Sequence, residues 1–141
     1  MTFWKCYYHV VWTTKNRSGL ITPQIETVVF DTIKAKSLAL ETEILAVNGI
    51  PDHVHVAAAI PPKLAVAEWV RNVKGASARE VNAMFPNLNE HFRWQECYGV
   101  LTFGAKNMDY VIGYIAHQKE HHANQTLQPY LEQTDEGDAG G

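Results

Sequence analysis

The chain has 141 residues, enough for one domain with a buried core and too few for two ordinary ones. Hydrophobic residues make up 46% and charged residues 19%, the balance of a soluble globular protein, and no run approaches the roughly 20 apolar residues of a membrane span. Net charge is −3, but four of the 15 acidic residues (Glu132, Asp135, Glu136 and Asp138) fall after residue 130, leaving 11 against 12 Lys and Arg, so any nucleic-acid partner must be argued from site chemistry.

The N-terminus, Met1 to Lys5, lacks the charged-then-apolar layout of a signal peptide, and the expected location is the cytoplasm. Residues 3–14 alternate Tyr8, Val10 and Trp12 on one side and read as a strand. Lys15-Asn16-Arg17-Ser18-Gly19 is a basic loop. Thr22 before Pro23 is an N-cap followed by proline at the first helical position, and Ile25, Val28, Val29 and Ile33 carry the helix to about Leu40. A strand over about 43–50, the turn Pro51-Asp52 and a strand over 53–60 form an antiparallel hairpin. A second helix spans about 64–84, strand-like pieces fall within 92–103, and a third helix runs from about Asn107 to His122. Cys6 and Cys97 have no CxxC neighbour and read as reduced core thiols. The order β-α-β-β-α-β plus a C-terminal helix predicts an α+β, ferredoxin-like split βαβ with an antiparallel sheet. Residues 1–126 are the expected single domain, and 127–141 an acidic, disordered tail.

Two segments carry chemistry. In His53-Val54-His55 the strand period sends both imidazoles to one face, about 7 Å apart along the strand. Such a pair can converge on one divalent metal and leave its shell open, or be two surface histidines beside a turn. In the third helix, Met108, Val111, Ile112 and Ile115 form an apolar stripe, and Tyr110, Tyr114, His117, Gln118 and His121 a polar one. Tyr114 and Gln118 are spaced to lie one above the other. A nucleophile beside a metal ligand fits this face, as does an ordinary amphipathic helix.

Together these segments resemble the single-tyrosine HUH transposases of small bacterial insertion sequences, the insertion sequence 200-like type. That family carries a His-hydrophobic-His strand and a C-terminal helix with Tyr and, four residues on, Gln. The matching pieces are Pro51-Asp52-His53-Val54-His55-Val56 and Tyr114-Ile115-Ala116-His117-Gln118. Further similarity lies in His9-Val10-Val11-Trp12-Thr13-Thr14-Lys15-Asn16-Arg17, in Lys74-Gly75-Ala76-Ser77-Ala78-Arg79 and in Trp94-Gln95-Glu96-Cys97-Tyr98-Gly99-Val100. The family usually has Asn just before the Gln, where this chain has His117.

The resemblance implies that His53, His55 and Gln118 hold Mg²⁺ or Mn²⁺ and that Tyr114 attacks a DNA phosphate, leaving a 5′-phosphotyrosine and a free 3′-OH. It also implies single-stranded DNA hairpins as partner, and a homodimer in which the third helix completes the partner's site. Lys15, Asn16 and Arg17, with Arg71, Lys74 and Arg79, are the candidate DNA contacts, and His117 and His121 possible accessory groups to Tyr114. The alternative is a catalytically retired ferredoxin-like nucleic-acid-binding dimer. A histidine-triad hydrolase would need a third histidine where Ala57 stands.

Overall fold

The computed structural model describes residues 2–135. In chain order the elements are β1 (Tyr7–Thr13), α1 (Pro23–Ala39), β2 (Glu43–Ile50), β3 (His53–Ala59), α2 (Val66–Met84), β4 (Gly99–Phe103), α3 (Met108–Ala116), α4 (Gln118–Asn124) and α5 (Pro129–Glu132). The four strands form one sheet in the order β2-β3-β1-β4 with every neighbouring pair antiparallel, which is the ferredoxin-like split βαβ.

Every residue of β3 and most of β1 is buried, so the centre of the sheet is covered on both faces, while the middle of the edge strand β4 is exposed. One face presents Val10, Trp12, Val54 and Val56 to α1 and α2, which contribute Ile25, Val29, Ile33, Trp69 and Val73. Trp12 meets Trp69 and Trp94 edge-on, at ring-centroid distances of 6.0 and 5.9 Å. Each such large side chain removed from water contributes about 1.5–3 kcal/mol, so this layer is the main anchor of the fold. Helix α1 starts as its sequence dictates: the Thr22 hydroxyl accepts from the Ile25 amide, with Pro23 next in line.

The other face carries His9, His53, His55 and the small Ala57, against which α3 lays Val111 and Ile115. The β2–β3 turn is held from below, with the Thr14 amide donating to the Asp52 carbonyl and the Ile21 amide to that of Pro51. Gly49 is required beside this turn, because a Cβ there would lie 2.3 Å from the His53 carbonyl oxygen. The hairpin that bears both histidines is thus fixed at its tip and at its flank.

The structure departs from the sequence expectation at several places. The third helix breaks at His117 (φ −104°, ψ 25°), giving α3 and α4. Asn48 of β2 donates to the freed Ala116 carbonyl, which compensates the lost helical bond. After α4 the chain turns at Gln125, a left-handed residue (φ 56°), with the Thr126 amide donating to the His121 carbonyl. Residues 127–135, expected from sequence to belong to the tail, contain the short helix α5 (Pro129–Glu132) and bury Leu131 and Thr134; the rest of that segment, 136–141, lies outside the described residues. The 92–98 segment makes a single bridge, Trp94 to Thr14, in place of a strand. Cys97 is exposed, so only Cys6, partly buried, approaches the expected core position. Among the described residues, no helix is long and apolar enough to cross a membrane.

Candidate metal and tyrosine site

The strand period delivers His53 and His55 to the α3 side of the sheet, with ring centroids 5.0 Å apart. Each ring is gripped from behind. His53 Nδ1 lies 2.7 Å from Asp52 Oδ1, and His55 Nδ1 lies 2.9 Å from Nε2 of His9, whose ring stacks on it. The Nε2 atoms of both rings therefore face the space between β3 and the C-terminal helices. Outer partners of this kind fix the tautomer of a metal-ligating histidine.

The break at His117 redirects the chain beyond it. Helix α4 brings His122 Nε2 to 3.1 Å from His53 Nε2, and α5 brings Glu132 Oε1 to 3.3 Å from His53 Nε2 and 3.1 Å from His55 Nε2. Ligand atoms of His53, His55, His122 and Glu132 all lie within 4.8 Å of one another. The other carboxylate oxygen, Glu132 Oε2, accepts a hydrogen bond from the Tyr114 hydroxyl and another, at 3.4 Å, from the Gln118 amide. The Gln128 amide donates to the Tyr114 oxygen at 3.1 Å.

These contacts set the charges. Burial opposes protonation of His53, but hydrogen bonds to Asp52 and Glu132 outweigh it and raise its pKa to about 9. Burial alone would raise the Glu132 pKa, yet His53 and His55 hold the carboxyl far below its ordinary range. In the metal-free chain His53 and Glu132 form an ion pair. Burial lowers His55, and it lowers His9 to about 3 with help from neighbouring His55. Burial, then the bond to the Glu132 carboxylate, raises the Tyr114 phenol.

A divalent cation fits these groups. Gln118 is fully buried, and its amide oxygen has no hydrogen-bond partner. A buried acceptor left bare costs about 1–3 kcal/mol, which a cation offsets. Imidazole nitrogens, an amide oxygen and a carboxylate are donors such ions accept.

The structure thus brings together Tyr114, His53, His55 and Gln118. The Tyr114 ring lies 6.1 Å from that of His55 of the same chain. His121 stacks on the Tyr114 ring at 4.6 Å, while its Nδ1 faces Thr126 Oγ1. Exposed His117 donates back to the Gly113 carbonyl and lines the same cavity as Tyr114 and His121. Lys15, Asn16 and Arg17 form an exposed single turn, and Arg17 is close enough to Asp52 to help lower its carboxyl after the dominant His53 hydrogen bond. Arg71, Lys74 and Arg79 ride on α2, across the sheet from the site; Arg71 pairs with Glu68, and Lys74 donates to the carbonyls of Gln95, Glu96 and Cys97.

Sequence reasoning missed His9, Asp52, His122 and Glu132. His9 sits diagonally from His55 across the β1–β3 ladder, a placement that strand register could have suggested. No spacing signal finds Glu132, because a helix break and a left-handed turn separate it from Tyr114.

A family profile described as "Transposase IS200 like" matches residues 2–118. The chain belongs to the IS200-like transposase family. It is 30% identical over 123 residues to the "Transposase for insertion sequence element IS200" of Salmonella typhimurium, covering 84% of this chain and 80% of that one. It is 26% identical over 117 residues to the "ISDra2 transposase TnpA" of Deinococcus radiodurans, covering 80% and 84%. Among solved structures, a Deinococcus radiodurans protein assigned as a transposase superposes with a TM-score of 0.69 at 27% identity, over 83% of this chain and 93% of that one. A REP-associated tyrosine transposase bound to a REP hairpin shares the fold, with a TM-score of 0.63 at 17% identity over 96% and 90%. For an IS200-like transposase, DNA strand cleavage and transfer is the implied activity.

Proposed function

We propose that this IS200-like transposase cleaves and rejoins single-stranded DNA at hairpin-marked ends through a covalent bond to Tyr114. The observation that carries the reading is the meeting of the Tyr114 hydroxyl with the His53–His55 pair and Gln118, bridged by one carboxylate. In this reading Tyr114 oxygen bonds to phosphorus as the bond to the 3′ oxygen breaks. The strand leaves with a free 3′-OH, its proton supplied from the phenol by way of solvent. A later 3′-OH reverses the step, so the phosphodiester energy is conserved and rejoining needs no ATP.

His53, His55 and Gln118 would hold the working divalent ion, Mg²⁺ or Mn²⁺, which supplies charge neutralisation at the phosphate. Asp52 and His9 keep the two imidazoles aimed. The exposed Lys15–Arg17 turn offers positive charge to the incoming strand. A homodimer, with the third helix completing the partner's site as the resemblance implies, would hold two DNA ends together in this reading. The cytoplasm, where chromosomal DNA lies, is the location this function requires.

The test is incubation of the protein with single-stranded hairpin DNA and Mg²⁺ or Mn²⁺. A protein–DNA adduct that survives denaturant is expected from the wild type and not from Tyr114→Phe. Adduct formation by Tyr114→Phe would remove Tyr114 from its role. Failure of the wild type on every hairpin tried would favour a retired, DNA-binding descendant.

A further inference from the structure

The donor atoms at the head of β3 are more numerous, and more closely arranged, than a two-histidine pair with one amide requires. Glu132 Oε1 lies 3.3, 3.1 and 3.6 Å from the Nε2 atoms of His53, His55 and His122, and the Nε2 atoms of His53 and His122 are 3.1 Å apart. Four ligands around a tetrahedral ion, with bonds of about 2.0–2.1 Å, stand roughly 3.3–3.4 Å from each other. These four separations are close to that value, and all four donor atoms lie within 4.8 Å of one another, so small side-chain shifts would gather them around one centre.

The donor chemistry points the same way. Three imidazoles and a carboxylate suit Zn²⁺ or Co²⁺, whereas Mg²⁺ prefers oxygen ligands and retains several waters in octahedral array. Two of the three rings are held so that Nε2 faces inward. With Nδ1 of His53 on Asp52 and Nδ1 of His55 on His9, a metal that displaces the Nε2 proton would find both Nε2 atoms already aimed at it. His122 and Glu132 lie past residue 118, where the family match ends, so this shell is not accounted for by the motif that identifies the family.

We propose that in the DNA-free chain His53, His55, His122 and Glu132 form a closed four-donor site for a divalent ion of the Zn²⁺/Co²⁺ class, in preference to Mg²⁺. Glu132 is its internal fourth ligand and occupies the place a DNA phosphate must take. Its second oxygen ties the Tyr114 hydroxyl and the Gln118 amide to the same site. Gln118, whose own amide oxygen stays bare, is not needed for this resting set. The inference rests on the reading of this cleft as a divalent-cation site, and its test requires neither DNA nor catalysis.

The experiment is a Co²⁺ titration of the chelator-stripped, full-length protein without DNA, read by visible absorption. One ion per chain with the intense bands of four-coordinate Co²⁺ is expected, displaced by equimolar Zn²⁺ and not by millimolar Mg²⁺. His122→Ala and Glu132→Ala should each weaken Co²⁺ binding by at least about tenfold and replace those bands with the faint absorption of higher coordination, whereas Gln118→Ala should stay within about threefold. Thermal melts in chelator check that each variant folds, and the isosteric Glu132→Gln replaces an alanine variant that does not. Wild-type Co²⁺ affinity in both the His122 and Glu132 variants overturns the proposal. So does a loss in Gln118→Ala equal to theirs, or a six-coordinate spectrum in the wild type. A protein that forms the tyrosine adduct yet shows that six-coordinate spectrum keeps the transposase reading and loses only this one.

Discussion

The hydroxyl of Tyr114 donates to Oε2 of Glu132, whose Oε1 faces His53 and His55, so one carboxylate spans the nucleophile and the imidazole pair. That bond helps to keep the phenol protonated: burial and then the Glu132 carboxylate raise its pKa. Less phenolate is then present at any given pH, which slows attack on a phosphate. Removing Glu132 leaves the burial effect and deletes the second.

For Glu132→Ala, assayed at saturating Mn²⁺, the pH giving half-maximal adduct formation should therefore move down relative to the wild type. The comparison is a pH profile of adduct yield at fixed early time. Superimposable profiles would mean that Glu132 does not control the phenol proton in the DNA-bound state.

Gly99, at the start of β4, lies so close to the C-terminal segment that a Cβ there would sit 1.8 Å from the Gln133 carbonyl oxygen. Backbone cannot yield at that distance without shifting. Gly99→Ala is expected to push residues 132–134 off the sheet and to carry Glu132 with them. Co²⁺ affinity should fall several-fold while the far-ultraviolet dichroism of the core stays unchanged. Unaltered Co²⁺ binding would show that Glu132 is held by its own contacts and not by the packing of its neighbour on β4.

The metal-free protein should be most stable near neutral pH, and different histidines shape the two limbs. His9, lowered to about 3 from an ordinary 6.5, takes up its proton more readily when unfolded, so its contribution is present above 6.5 and lost as pH falls toward 3. His53, raised to about 9, binds its proton more tightly when folded; its contribution is complete below 6.5 and lost as pH rises through 9. Urea denaturation in chelator across this range reads both. His9→Gln should remove up to roughly 1.4 kcal/mol per pH unit of slope on the acid side, with His55, lowered by burial, sustaining the remainder. Asp52→Asn should flatten the alkaline side. An acid limb unchanged in His9→Gln would assign that limb to His55 or to the carboxylates.

How much of this is legible in the sequence depends on how local the cause is. The Thr22-Pro23 helix start, the Pro51-Asp52 turn and the alternation at His53-Val54-His55 act within a few residues, and the structure repeats them. Periodicity extends through His117 and argues for a continuous third helix, but a tertiary bond from Asn48 to the Ala116 carbonyl stabilises the break. Glu132 reads as part of an acidic tail because its surroundings, Gln133, Thr134 and Asp135, are polar. Its partners come from β3 and α3, at sequence separations that no local pattern encodes.

Lys74 and Lys15 are both candidate phosphate contacts by sequence, and the structure gives them different surroundings. The Lys74 ammonium is turned onto three carbonyls of the 95–97 segment, and burial lowers its pKa, whereas Lys15 lies on an exposed turn. A cation that neutralises a phosphate releases a counterion, so its loss lowers the dependence of log K on log salt by about 0.7 for a single strand. Lys15→Ala should therefore reduce that slope by about this amount, read by fluorescence anisotropy with hairpin DNA at several salt concentrations. Lys74→Met should leave the slope unchanged and instead lower the melting temperature, because three carbonyls lose their donor. Equal salt slopes for wild type and Lys15→Ala, or a reduced one for Lys74→Met, would reverse the assignment and move the DNA path toward α2.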